Sequence, residues 1–370
     1  MNFNSILFLF VILFSTSCKS EKEKIAQEIT SREEIIDSTI QNFKKQLLKP
    51  QIDSVFSKYD FNGSVAVIEG DHILYRKDQG FENFKTETPL DSSSVFAIAS
   101  ISKQFTAVLI LLQEEAGKLS TEDSVAKFLP EFRTKVLENI KIKELLNHTS
   151  GISDFGNGLL SKPGEDFHYS NKGFRLLGEI IDKVSGKSFD ENAKELFLKV
   201  GMKNSATANL FQNNHLSGAY TGNAKNSQAV GNMPKRLANS EISVPAGGIL
   251  STVSDLHLWN KSLYGGLILK PQSLEKLLAK SSDRKHPVFG KMGYGFGIMM
   301  SKNAPLSYFH SGYVKGAPSL LVFYPESKTS LIILSNIAEE SRGKNAIFNP
   351  HKDIKQAMDV IEKAVIGLKK

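Results

Sequence analysis

One cysteine occurs in 370 residues, at position 18. A lone thiol closes no internal disulfide, so packing must hold the fold. Basic runs interleaved with aromatics are missing as well. The net charge is +7, from 46 Lys+Arg against 39 Asp+Glu, and the lysines are scattered. That pattern does not suit a nucleic-acid interface. The apolar run Ile6 to Phe14 is too short to span a bilayer, and no later stretch reaches that length. A Gly-x-Ser-x-Gly elbow is absent, which disfavours an α/β-hydrolase. No phosphate-binding glycine loop and no internal repeat occur. The eight histidines are dispersed without metal-ligand spacing. No metal and no cofactor is therefore expected.

What is present begins with that short apolar run, which suits the h-region of a signal peptide. Ser15-Thr-Ser17-Cys18 follows and resembles the lipobox of bacterial lipoproteins. The resemblance implies lipidation at Cys18 and cleavage before it. Residues 1–17 then form the signal peptide, and the mature chain is exported. It would face the periplasm or the surface from a bacterial envelope membrane, held by its lipid. Residues 18–50 form a charged stalk or tether. Ser31-Arg-Glu-Glu34 reads as a capping box, Ile36, Ile40, Phe43 and Leu47 recur at helical spacing, and Pro50 is expected to end the element. A helical stalk and a disordered tether both fit. Residues 51–370 make one domain.

In that domain Gly63 to Ile68 and His72 to Tyr75 flank a Gly70-Asp71 turn and read as a β-hairpin. Helices follow from Ser100 to Ala116, over Leu176 to Val184, and over Ser254 to Leu263, with mostly helical character between 118 and 200. The polar stretch 202–245 reads as long loops. Gly293 to Met300, Leu306 to Ser311, Ser319 to Tyr324 and Ser330 to Ser335 are strand candidates, the last two joined by a hairpin turn. A helix closes the chain over 351–367. Strands at both ends and helices between them argue an α+β fold. The N- and C-terminal strands would share one antiparallel sheet flanked by helices, beside a mostly helical lobe. The cleft between lobe and sheet is the natural place for a site.

The most informative stretch is Val95 to Leu112. Ser100 stands where a helix begins, and Lys103 follows three residues later on the same face. Ala107 to Leu112 is wholly apolar, so the helix is buried. Burial pushes a lysine pKa down, which lets it act as a base toward a serine. The alternative is a helix turn with a snorkelling lysine. Spacing alone does not separate them. Ser-x-x-Lys recurs at Ser124/Lys127, Ser273/Lys276, Ser282/Lys285 and Ser341/Lys344, but only the first copy leads into a long buried helix.

Two further triplets follow in order, Tyr169-Ser-Asn171 and His310-Ser311-Gly312. With Ser100-Ile-Ser-Lys103 they resemble the serine β-lactamase and DD-peptidase superfamily, in its class C β-lactamase-like branch. That branch includes D-alanyl-D-alanine carboxypeptidases, D-aminopeptidases and esterases. The resemblance covers roughly residues 50 to 345 and extends to His148-Thr-Ser-Gly151, to Pro245 to Asp255, and to Gly293-Tyr-Gly-Phe-Gly297. It implies that Ser100 is a nucleophile forming an acyl-enzyme, and that Lys103 and Tyr169 handle its proton. Either of the two could be the base. Asn171, His310, Ser311, Gly312 and Tyr313 would bind substrate. Backbone N–H groups of Ser100 and Tyr313 would form the oxyanion hole, where each donor supplies about 3 kcal/mol. His148 is left as a structural residue.

Histidine at position 310 is mostly uncharged at neutral pH, where lysine would carry a fixed charge. That favours a DD-peptidase or esterase on a small-molecule or peptide substrate over a class C-like β-lactamase. A penicillin-binding sensor that acylates without turnover is the alternative from another class. Oligomeric state does not follow from the sequence.

Overall fold

From β1 (Gly63–Glu69), Val65 and Val67 project to one side and Ala66 and Ile68 to the other, and all are buried. A strand apolar on both faces must lie between two layers. The computed structural model describes residues 21–368 apart from 157, 232, 239–242, 342 and 344, and omits the side chains of 21, 22, 24–29 and 31. The expected signal peptide and Cys18 lie outside the described residues. Two units divide the chain, one ending at Phe43 and one running from Lys44. Among the described residues, no helix is long and apolar enough to cross a membrane.

The helix α1 (Glu21–Tyr59) departs from expectation twice. Ser31 lies within it rather than capping it, and Pro50 does not end it. An interior proline costs about 3 kcal/mol. Leu48, Ile52, Val55 and Phe56 around it are buried in one cluster with Val65 and Val67 of β1, which offsets that loss.

The hairpin β1 and β2 (His72–Gln79) forms as expected. The C-terminal strands are β3 (Ser282–His286), β4 (Gly290–Tyr294), β5 (Met299–Met300), β6 (Tyr308–Val314), β7 (Ala317–Tyr324) and β8 (Thr329–Ser335). They join the hairpin in one antiparallel sheet of order β3-β4-β5-β6-β7-β8-β1-β2. The closure is β1 on β8, from Gly63 opposite Ser335 to Glu69 opposite Thr329. The α+β architecture is thus as the sequence pattern predicts.

On one face of the sheet lie the second half of α1 and the C-terminal α7 (Asn349–Leu368). The other face packs on the helical lobe: α2 (Ser102–Glu115), α3 (Asn171–Ser185), α4 (Phe189–Val200), the short α5 (Val244–Gly247) and α6 (Val253–Tyr264). Three regions differ from the sequence reading. Among the described residues between 118 and 170 there are short 3-10 turns, the helix Ile142–Leu146 and isolated bridges, Ser124 with Lys141 and Ile152 with Leu159. The polar stretch after 202 contains a hairpin, Ala219–Asn223 with Asn226–Val230. The strand candidate 293–300 is broken after Tyr294. There Gly297, at φ +67°, brings its backbone so close to α2 that a Cβ would meet the Lys103 carbonyl oxygen at 2.8 Å.

Candidate active site

Ser100 lies in a 3-10 turn, Ala99–Ile101, directly before α2. Its predecessor Ala99 holds a left-handed φ of +47°, a conformation that costs a non-glycine residue about 1–2 kcal/mol. The turn is held from two sides. The Ser319 hydroxyl donates to Ile98 O (2.9 Å), and Ile249 N–H donates to Ser102 Oγ (3.1 Å). Gly312 on β6 closes against the same turn. A Cβ there would lie 2.2 Å from Ile98 O and 3.0 Å from Ser100 N, so only glycine lets β6 approach this near.

Lys103, one turn into the helix, is fully buried, whereas Ser100 is half-buried. Lys103 Nζ lies 3.2 Å from Ser100 Oγ, 2.9 Å from Asn171 Oδ1 and 2.7 Å from Ala246 O. Neither the amide oxygen nor the carbonyl can donate. In its neutral form the amine would spend its two N–H bonds on Asn171 and Ala246 and turn its lone pair to the Ser100 hydroxyl. Burial pushes the Lys103 pKa below the usual lysine range, against a smaller upward pull from Tyr169.

Asn171 is the first residue of α3, and Ser170 is its cap, accepting from Gly173 N–H (3.0 Å). Asp154 secures this helix start. It accepts from the Ser170 hydroxyl (2.7 Å), Lys172 N–H (2.9 Å) and Asn171 N–H (3.1 Å). With the cap made by Ser170, the Asn171 side chain is free to face Lys103. Tyr169 is half-buried. Its ring centre lies 4.8 Å from Lys103 Nζ and 4.6 Å from the Arg284 guanidinium carbon.

His310 is buried on β6. Its Nε2 is 3.1 Å from Tyr294 Oη and its Nδ1 2.7 Å from Ser311 O. Burial first, then Arg284 and, when protonated, Lys103 hold its pKa well below the usual imidazole range. Ser311 Oγ lies 3.3 Å from His286 Nε2. His286 Nδ1 accepts from Val288 and Phe289 N–H (3.1 and 3.3 Å), so Nε2 carries the proton and donates to Ser311. The pKa of His286 is pushed down to about 3, by burial and then by Arg284. Tyr313 turns its hydroxyl away, to Glu340, and leaves only its backbone beside Gly312.

The fold thus gathers Ser100, Lys103, Tyr169, Asn171 and the 310–313 strand from three segments. Several neighbours carried no sequence signal of their own. Tyr294, Arg284, His286, Asp154 and Ala246 meet the site only through tertiary contacts. Arg284 makes one polar contact, Nη1 to Met299 Sδ (3.3 Å), and pairs with no carboxylate among the described residues. The family resemblance offered a partial clue, since Tyr294 and Ala246 fall within stretches to which it extends.

A family model described as Beta-lactamase matches residues 38–349. Penicillin-binding protein 4* of Bacillus subtilis (strain 168) is 30% identical over 373 residues, covering 88% of this chain and 80% of its own length. D-amino acid amidase from Ochrobactrum anthropi SV3, solved with L-phenylalanine amide, superposes with a TM-score of 0.68 at 19% identity. It covers 85% of this chain and 98% of that one. EstCE1, a hydrolase with promiscuous acyltransferase activity, gives a TM-score of 0.70 at 18% identity, with the same 85% and 98% coverage.

Proposed function

We propose, because this chain belongs to the beta-lactamase family and is a serine hydrolase, that Ser100 is its nucleophile and Lys103 the base that activates it. The observation that carries this reading is the buried Lys103 amine, 3.2 Å from Ser100 Oγ with its other two directions taken by acceptors. Ser100 Oγ forms a bond to the substrate's acyl carbon while its proton passes to Lys103 Nζ. Backbone N–H groups of Ser100 and Tyr313 receive the developing oxyanion. The bond to the leaving nitrogen or oxygen then breaks, and the leaving group takes a proton from the Lys103–Tyr169 pair. Water then bonds to the acyl carbon, losing a proton to the same pair; the bond to Ser100 Oγ breaks, Ser100 takes that proton back, and the acid is released.

The substrate reading is a DD-peptidase or esterase rather than an efficient β-lactamase. A neutral His310 supports it, since no fixed cation stands at that position. For a substrate with a free carboxylate, the cation would come from the unpaired Arg284. The names of the amidase and of EstCE1 agree with amide and ester chemistry. Steady-state turnover of nitrocefin, a p-nitrophenyl ester and a D-Ala-D-Ala peptide tests this. The ester or the peptide should turn over faster, with a transient adduct at Ser100 in intact-protein mass spectra. Fast nitrocefin hydrolysis alone would overturn the substrate reading. A penicillin adduct that persists without turnover of any substrate would instead indicate a sensor.

We also propose that Cys18 carries a lipid and anchors the mature chain to an envelope membrane. Support comes from the apolar run Ile6 to Phe14 and from Cys18 being the chain's one cysteine. Expressed in a bacterium, the full chain should fractionate with carbonate-washed membranes, and Cys18→Ala should be soluble. A variant that stays with the membrane would refute the anchor.

A further inference from the structure

Two stretches singled out in the sequence take no part in the chemistry above: the one that begins at His148 and the one that contains Tyr294. The structure joins them to the third triplet. Ser170 N–H donates to His148 Nδ1 (3.2 Å), His148 Nε2 lies 3.1 Å from Tyr294 Oη, and Tyr294 Oη lies 3.1 Å from His310 Nε2. His310 Nδ1 then reaches Ser311 O at 2.7 Å. All three side chains are buried.

The ends of this series are backbone groups with one role each. An amide N–H only donates, so His148 Nδ1 is bare and its proton sits on Nε2. That proton goes to Tyr294 Oη. The Tyr294 hydroxyl proton must then point to His310 Nε2, which is bare in turn. The remaining His310 proton is on Nδ1 and goes to Ser311 O, which only accepts. Every proton position is set, and the two histidines hold opposite tautomers. Protonating His310 at Nε2 would bring two protons together at Tyr294 unless its hydroxyl turned, and His148 Nε2–H blocks that turn.

We infer that Tyr294 is a positioning residue that locks His148 and His310 as complementary neutral tautomers and keeps charge off position 310. The lock also sets spacing. His148 is in ring contact with Tyr169 (centres 4.4 Å apart), and His310 lies on the strand that carries Gly312 and Tyr313. Tyr294 thus ties the proton-handling side of the site to its oxyanion side. Around the two imidazoles stand the Arg284 cation, the Lys103 amine, the phenol Tyr169 and the neutral His286. Arg284 opposes a further charge there, in the same sense as burial, and Lys103 does so whenever it is protonated. The inference deepens the assignment of Ser100 and Lys103 and rests on it for its catalytic consequence.

Long-range 1H–15N spectra of the imidazoles in the intact protein test the lock without any substrate. The expected result is Nε2–H at His148 and Nδ1–H at His310, with neither ring titrating between about pH 5 and 8. The opposite tautomer in either ring, or titration of either, would overturn the inference whatever becomes of Ser100. Tyr294→Phe should free His310 Nε2 to take a proton. The acid limb of kcat/KM should then move toward neutral pH, and kcat should fall about tenfold or more from lost positioning, with KM little changed. An unchanged pH profile in a folded Tyr294→Phe enzyme would also overturn it.

Discussion

Lys103→Met is expected to lower kcat/KM by about 10³-fold or more, and Ser100→Ala by a similar factor. General-base catalysis by a positioned side chain is typically worth about 10²–10⁴-fold. Here the base also orders the nucleophile, so both losses fall on one step. Residues acting as a unit are strongly non-additive. The double variant should therefore be scarcely worse than either single one. Lys103→Arg should be as poor as the methionine, because a guanidinium is not deprotonated in proteins and cannot accept the serine proton. The pH dependence carries the same signature. A lysine acts as a base only when neutral, and burial draws the pKa of Lys103 below the usual lysine range. Activity should rise with pH through that lowered pKa and fail below it. In Lys103→Met the residual rate should lose that limb. Initial rates on a p-nitrophenyl ester across pH, for the wild type and the four variants, check this. Retention of wild-type kcat/KM within tenfold by Lys103→Met would assign the base to another group, with Tyr169 the next candidate.

The structure also explains why Ser-x-x-Lys spacing could not identify this pair by itself. At Ser124 the hydroxyl caps a 3-10 turn, and Lys127 pairs with Asp123 at the surface. Lys276 pairs with Glu114. Ser282 and Lys285 lie on β3, where residues three apart point to opposite faces. Among the described copies only Lys103 sits in a helix whose residues 102–111 are all buried, and that burial was legible as the run from Ala107 to Leu112. The sheet was legible for the same kind of reason. Strands β7 and β8 carry the continuous apolar runs Leu320 to Tyr324 and Leu331 to Leu334 because both faces are covered.

What stayed illegible depends on contacts distant in sequence. β3 reads Ser-Asp-Arg-Lys-His, a charged edge strand without an apolar pattern. Its Arg284 and His286 acquire meaning only against Tyr169 and Ser311. His148 gave no hint of its left-handed φ of +64°, nor of its part in joining two lobes. The segment 118–170 looked helical because its apolar residues are frequent. In the fold they anchor irregular loops to the helical lobe, with Val125, Leu129, Phe132 and Ile140 buried in its core. At the start of α3 it is Ser170, not the neighbouring Asn171, whose side chain makes the capping bond.

The largest effect on stability is expected from Lys44, far from the chemistry. Its ammonium is fully buried beneath the sheet. It lies 2.5 Å from Glu69 Oε2 at the end of β1 and 2.6 Å from Glu362 Oε1 on α7. Thr329 Oγ1 also donates to Glu69 Oε2, at 3.3 Å. One cation thus joins α1, the β1–β8 edge and the C-terminal helix. Replacing the whole cluster with apolar groups could be nearly neutral, since burying three charges carries a large desolvation cost. Removing the cation alone is different. Lys44→Met leaves two buried carboxylates facing each other without compensation, and breaking a buried pair in this way costs about 3–5 kcal/mol. That is a large share of the roughly 5–15 kcal/mol that stabilises a typical protein. A second substitution separates electrostatics from packing. Lys44→Met with Glu362→Met removes one stranded carboxylate and fills its space, so the double variant should be more stable than Lys44→Met alone. Urea unfolding midpoints of the two variants and the parent give the answer. A Lys44→Met protein within about 1 kcal/mol of the parent would mean that solvent reaches the cluster and the charges are screened there.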